Sequence, residues 1–284
     1  MIHSDLHIHS EYSYDAILPL STIVAVAEER GYRQVGVTDH YNLNNNKFRH
    51  HIEGSAKYVK RMQKDHPTLL LGVELTPIAK PLYDYYTTHP EMKGYEPEGF
   101  TYPTSGVPIP YQFEMAASKE ELMALGVQYA VAAAHGYIDS PVCSFRDMKE
   151  NIDAWHRMQM YLATDERTTI LGHPYYHGLA LWYEDFSVIP YSMHEELAAA
   201  LKENGKYVEM NRDMLNSRDT SEKFRHQYAE FMRFMFEKGV RVTYGSDKHG
   251  GYLSDHRSRI CPYLEAAGFR DGDFSELSPE DLWQ

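Results

Sequence analysis

The sequence predicts an α/β barrel of seven parallel strands folded as one domain, residues 1–284, and three observations carry that expectation. First, seven short apolar runs, often β-branched and closed by a polar residue or glycine, recur along the chain: Ile2–Leu6, Gln34–Thr38, Leu69–Leu75, Gln128–Ala134, Thr168–Leu171, Lys206–Met210 and Arg241–Tyr244. Runs of this kind mark parallel strands covered on both faces. Second, helix-like sequence separates the runs, with no repeat period that would suggest a solenoid. Third, 284 residues with 43% hydrophobic and 13% aromatic content can fill one large core, which excludes disorder.

The helices carry their own punctuation. Leu20–Arg30 has an apolar stripe, Ser21 or Thr22 as a candidate N-cap, and Gly31 as its stop. His194–Glu203 ends at Asn204-Gly205, and Phe224–Glu237 ends at Gly239. Two stretches break the rhythm. Thr76–Ser118 is rich in Tyr and Pro and reads as an insertion between the third strand and its helix, either a lid over a site or an inert decoration. Glu265–Gln284 is acidic and is expected to be a surface tail.

Composition narrows the function. No run approaches the roughly 18 apolar residues of a membrane-spanning helix, so no membrane partner is expected. Met1-Ile2-His3-Ser4-Asp5 lacks the basic-then-apolar order of a signal peptide. Cys143 and Cys261 show no CxxC spacing and read as ordinary thiols, so a reducing cytoplasm is expected. The formal charge is −13, with 28 Lys and Arg against 41 acids, which argues against a long nucleic acid as partner. A small phosphorylated substrate remains compatible, because divalent ions reverse the local charge of an acidic pocket.

The sixteen histidines focus the question. His7 and His9 follow the first strand in Asp5-Leu6-His7-Ile8-His9-Ser10, two apart and so directed to the same side. His40 follows the second strand, Glu74 ends the third, His135 the fourth and His173 the fifth. Asp247 and His249 follow the seventh in Gly245-Ser246-Asp247-Lys248-His249. The sixth ends in Glu209-Met210-Asn211, polar without an evident ligand set. Six of seven strands therefore deliver a metal-competent group at one end, where parallel barrels build their active sites. Imidazole and carboxylate without thiolate suit Zn, Mn or Fe(II) better than Ca or Mg.

Asp5-Leu6-His7-Ile8-His9-Ser10, Thr38-Asp39-His40, Leu171-Gly172-His173-Pro174 and Gly245-Ser246-Asp247-Lys248-His249 together resemble the signatures of the polymerase-and-histidinol-phosphatase (PHP) family, with Glu74 and His135 between them in order. The resemblance implies a distorted (β/α)7 barrel of TIM-like form and three divalent metal ions. By this resemblance His7, His9, Glu74 and Asp247 hold the first ion. Glu74 bridges to a second, completed by His135 and His173, and His40, His249 and Asp15 hold the third. Asp15 stands where the family often has histidine, and Asp39 is expected to orient a neighbour. Small members of the family hydrolyse histidinol phosphate. Lys248, the segment Glu209–Arg212 and the Tyr/Pro insertion depart from their pattern.

The chemistry expected is hydrolysis of a small phosphomonoester by a hydroxide shared between two ions, with Asp247 and His249 in the catalytic centre. Arg212, Arg218 and Lys248 are the candidate phosphate clamp. His177 either assists the leaving group or lines the rim. His3, His50, His51, His66, His89, His156, His194 and His226 have no strand-end position, whereas His256 follows the seventh strand closely enough to be kept in view. The rival readings are an amidohydrolase-like enzyme, a nuclease or proofreading module, and a non-catalytic metal-binding scaffold.

Overall fold

The computed structural model describes residues 1–41, 49–92, 112–135, 147–175 and 185–283. Seven strands form one parallel sheet in the order β1 (Ser4–Ile8), β2 (Gln34–Val37), β3 (Leu69–Leu75), β6 (Tyr129–Ala133), β7 (Ile170–Gly172), β8 (Tyr207–Asn211) and β9 (Arg241–Gly245). Short β4 (Ile78–Ala79) and β5 (Phe113–Glu114) pair antiparallel and close the two ends of the Tyr/Pro insertion on each other. The helix Lys80–Thr88 follows β4, and residues 93–111 lie outside the described residues. The result is a distorted (β/α)7 barrel. Each strand lies within two residues of the run that predicts it.

The barrel closes unevenly. β1 and β9 are joined at the upper end, where the Asp247 amide donates to the His7 carbonyl at 2.7 Å and the His9 amide to the Lys248 carbonyl at 3.1 Å. Below, the Asp5 carboxylate accepts the Ser246 amide at 2.9 Å. Burial pushes the Asp5 carboxyl up to about 6, against the opposing hydrogen bonds from Ser246. Lower on the same edge, away from β8, β9 is extended by the tail, where the Ser275 amide donates to the Val242 carbonyl at 2.7 Å.

Inside the barrel, Leu6, Leu70, Tyr129, Val131, Ile170 and Tyr207 form a separate core layer. Tyr129 spans this layer and donates to the Leu6 carbonyl at 2.8 Å. Its ring fits because the facing positions are Gly36 and Gly72: a Cβ at Gly36 would stand 1.7 Å from the Tyr129 hydroxyl. Between β1 and β2 the register shifts, Asp5 opposing Val35 and Ile8 opposing Val37. That extra residue in β1 lets the consecutive Leu6 and His7 both face inward, as a bulge does.

Two expectations are corrected, the N-cap of the first helix and the surface tail. Ser21 and Thr22 lie inside the first helix, Leu20–Glu29, whose N-cap is Pro19 with no side-chain cap bond; proline's fixed φ suits a helix entrance without one. The helices Arg49–Met62, Met148–Thr164 and Arg257–Ala266 fill helix-like stretches that the sequence leaves without bounds. The C-terminal segment is no mere surface tail. Leu277 is buried in the interior layer, the Leu277 amide donates to Gln34 Oε1 at 2.8 Å, and the Trp283 amide donates to the Gln128 carbonyl at 2.7 Å. It plugs the lower end of the barrel. No helix among the described residues is long and apolar enough to cross a membrane.

Candidate metal centre

The inward positions of the strands continue from that apolar layer to polar groups at the upper end. Gly72 is followed two residues on by Glu74, Val131 by Ala133 and then His135, and Tyr207 by Glu209 and Asn211, because side chains two apart share a face. Glu74 is the centre of the cluster. Its carboxylate lies 3.5 Å from His7, 3.3 Å from His9, 2.8 Å from His40, 3.2 Å from His135 and 3.1 Å from His173. All six side chains are buried.

Three overlapping groups have donor atoms close enough to share an ion: His7, His9 and Glu74; Glu74, His135 and His173; and His9, Asp15, His40 and His249. Asp247 joins the first, 3.6 Å from His7 Nε2 and 3.3 Å from His9 Nε2. Asp15 reaches His40 at 3.2 Å and His249 at 3.4 Å. The structure thus gathers all nine of the residues His7, His9, Asp15, His40, Glu74, His135, His173, Asp247 and His249.

The donor set fits cations better than hydrogen bonds. His7 Nε2 and His9 Nε2 face each other at 3.1 Å. His40 Nδ1 and Glu74 Oε2 are buried 2.8 Å apart, yet neither makes a well-formed hydrogen bond among the described residues. Ligands about 2.0–2.2 Å from a tetrahedral ion stand about 3.3–3.6 Å from one another, close to the spacings among His7, His9, Glu74 and Asp247.

The electrostatics reflect this crowding. Burial alone would raise the Glu74 carboxyl, but His40, His135 and His7 hold it well below its usual range. Burial likewise opposes the charge on His7, and Glu209, Asp247 and Glu74 outweigh it, raising the imidazole well above its ordinary value. His40, buried beside Glu74 and Asp15, is raised to about 10. Asp247 is held low by His7 and His9 against its burial, and His135 goes down because burial exceeds the pull of Glu74. Two of the strand-end residues have left-handed backbone, His173 at φ 23° and Asp247 at φ 49°. Such strain concentrates where a side chain must be aimed.

The supporting groups include several that the sequence did not reveal. Glu209 accepts from His7 Nδ1 at 2.7 Å and from the His173 amide at 2.7 Å. Asn211 reaches Asp247 at 3.2 Å, and Thr76 meets His135 Nδ1 at 3.0 Å. Period-2 spacing from Tyr207 is the one signal that would have aimed Glu209 inward. Asp39 binds the Ser10 amide at 2.6 Å and hydroxyl at 2.8 Å, fixing the turn that carries His9.

Among the basic candidates, Arg212 is buried against Asp213, 2.7 Å from Nε to Oδ1, with Asp247 close enough to raise it further. Lys248 is half-buried, its ammonium lowered by burial and by Arg212. His256 stands beside this pair and is depressed by burial, then by Arg212 and Lys248. Arg218 is exposed, and His177 and Cys143 lie outside the described residues. His3, His66 and His156 pair instead with Asp271, Glu28 and Glu196.

Fold and site define a parallel α/β barrel with a buried histidine–carboxylate cluster at the C-terminal ends of its strands. The chain belongs to the PHP family: the PHP domain matches residues 5–213. A curated relative from Acetivibrio thermocellus, a "Probable phosphatase", is 28% identical over 145 residues, 49% of this chain. That match spans 58% of the relative, less than two thirds of its length. Histidinol phosphate phosphatase from Lactococcus lactis subsp. lactis Il1403, solved with zinc, L-histidinol and phosphate, superposes with a TM-score of 0.64 at 16% identity and covers 94% of each chain. At that identity the likeness is one of fold.

Proposed function

We propose that this protein is a metal-dependent phosphomonoesterase acting on a small substrate. The observation that carries the reading is Glu74, one buried carboxylate within 3.5 Å of five imidazoles and shared between donor groups. His7, His9, Glu74 and Asp247 would hold one divalent ion, Glu74, His135 and His173 a second, and Asp15, His40 and His249 a third. Zinc, manganese and iron all suit such donors. Bound side by side, such ions supply a nucleophile from water at neutral pH and charge to balance the phosphoryl oxygens.

The chain's own groups do the rest. Lys248 and Arg212, the latter ion-paired with Asp213 at 2.6 Å, stand near Asp247 and are the candidate phosphate clamp. Arg218 and His177 are further candidates. The Asp39–Ser10 pair and the His249 Nδ1 contact to the Asp247 carbonyl, 3.1 Å, hold ligand rings in one orientation before substrate arrives.

Histidinol phosphate is the first substrate to test, motivated by the solved neighbour and by the small phosphorylated ligand the cluster suits. The assay is phosphate release by manganese-reconstituted protein against a chelator-stripped control. Metal-dependent turnover on the order of 1 per second or faster supports the reading. No release from this or any panel phosphomonoester, with metal bound, rejects it in favour of a phosphodiesterase, an amide hydrolase or a non-catalytic scaffold.

A further inference from the structure

We propose that Glu209 is a positioning residue that ties two neighbouring ion positions together, so that they fill as a unit. The proposal rests on reading the cluster as a metal centre. β8 supplies none of the donors named above, yet its inward face is buried directly beneath them.

The argument starts from what a carboxylate can do, which is accept. Glu209 Oε1 lies 2.7 Å from His7 Nδ1, so that nitrogen carries the hydrogen. His7 Nε2 is then the nitrogen directed toward His9, Glu74 and Asp247, the one a metal ion would take. Glu209 Oε2 accepts the His173 amide at 2.7 Å. That amide belongs to the residue at φ 23°, so the bond holds the strained turn that brings His173 Nε2 to 3.1 Å from Glu74. Thus one oxygen serves the His7 group and the other serves the His135–His173 group.

Asn211 extends the arrangement. Its Oδ1 accepts the Asp213 amide at 2.9 Å, which fixes the amide orientation. Its Nδ2 therefore faces Glu209 Oε2 at 3.3 Å and Asp247 Oδ2 at 3.2 Å. Three donors converge on Glu209 from His7, His173 and Asn211. A glutamine offers one acceptor oxygen and an NH2 that must meet one of those donors, so the isosteric amide cannot reproduce the arrangement. The seat also depends on residue 245, where a Cβ would stand 1.7 Å from Glu209 Oε1.

The test uses the full chain, stripped of metal, as wild type, Glu209→Gln and Gly245→Ala, the last pressing on both the Glu209 carboxylate and the His7 Cβ, 2.6 Å away, without removing either. Zinc binding is followed by calorimetry and by metal content after desalting. Histidine ring tautomers are read by nitrogen–proton NMR in the metal-free protein. The expected results are a wild-type His7 protonated at Nδ1 and, in both variants, two zinc steps weakened together by about 10–100-fold, with the step belonging to Asp15, His40 and His249 retained. A variant that binds zinc as wild type does, or that loses one step while its neighbour is untouched, overturns the proposal. So does a wild-type His7 with no proton at Nδ1, a result that needs no variant to fold. Wild-type protein that binds no zinc overturns the metal-centre reading instead, and the His7 tautomer still decides whether Glu209 orients that ring.

Discussion

Loading the metal-stripped protein with zinc at pH 8 is expected to release at least about one proton per chain. Imidazoles bind metal in their neutral form, so every ligand ring that is protonated beforehand must give up its proton. His40, raised to about 10 by Glu74 and Asp15 against its burial, is about 99% protonated at pH 8, where an ordinary histidine is about 3% protonated. His7, raised well above its usual value by Glu209, Asp247 and Glu74 against its burial, shifts in the same direction. The sign follows from the same shifts. Because the folded value of His40 is raised, its contribution to the metal-free fold is full below about 6.5 and is lost as pH climbs toward 10. Glu74, held low, contributes above about 4.5 and loses that contribution as pH falls. Proton release should therefore persist through pH 8 and decline on approaching 10. Calorimetry in HEPES and in Tris, whose ionisation enthalpies differ, reads the proton count directly. Release of less than one proton at pH 8, or release that grows between pH 8 and 10, would refute the charge state derived for the cluster.

Replacing Glu74 by glutamine removes the charge that balances the surrounding imidazoles and a donor common to two groups. Steady-state kinetics on the best phosphomonoester should show kcat/KM lower by on the order of 10³, several kcal/mol of lost charge stabilisation. Gly36→Ala drives a Cβ into the Tyr129 hydroxyl and breaks its bond to Leu6. Urea unfolding should report a loss of roughly 2–4 kcal/mol, from overpacking and one buried hydrogen bond, and an unchanged midpoint would argue against Tyr129 spanning the interior. Leu277→Ala empties the plug beneath that layer and should cost about 2–5 kcal/mol. A loss under about 0.5 kcal/mol in the same measurement would mean that the tail does not close the barrel.

The strands were legible because a strand buried on both faces has to be apolar along its length, and that requirement is local. Leu69–Leu75 coincides with β3 residue for residue. The helices were less so. Arg49–Met62 and Met148–Thr164 carry charged outer faces, and Pro19 starts its helix without a capping side chain. The tail misled for a related reason: Leu277 lies in an acidic stretch, and its burial depends on a hole that six residues on five strands leave open.

The sequence by itself determined which ends of the strands carry chemistry. A histidine or acid directly after a parallel strand lies at the barrel's C-terminal face whatever the rest of the chain does, because strand polarity is set by chain direction. What only the tertiary structure decided is how those groups meet. The bulge that turns both Leu6 and His7 inward, the glycines that admit Tyr129 and Glu209, and the carboxylate of Glu209 reaching His7 across 202 positions in the chain all depend on strands packed side by side. Hydrogen bonds and steric fit act over a few ångströms of space, and distance along the chain carries no record of them.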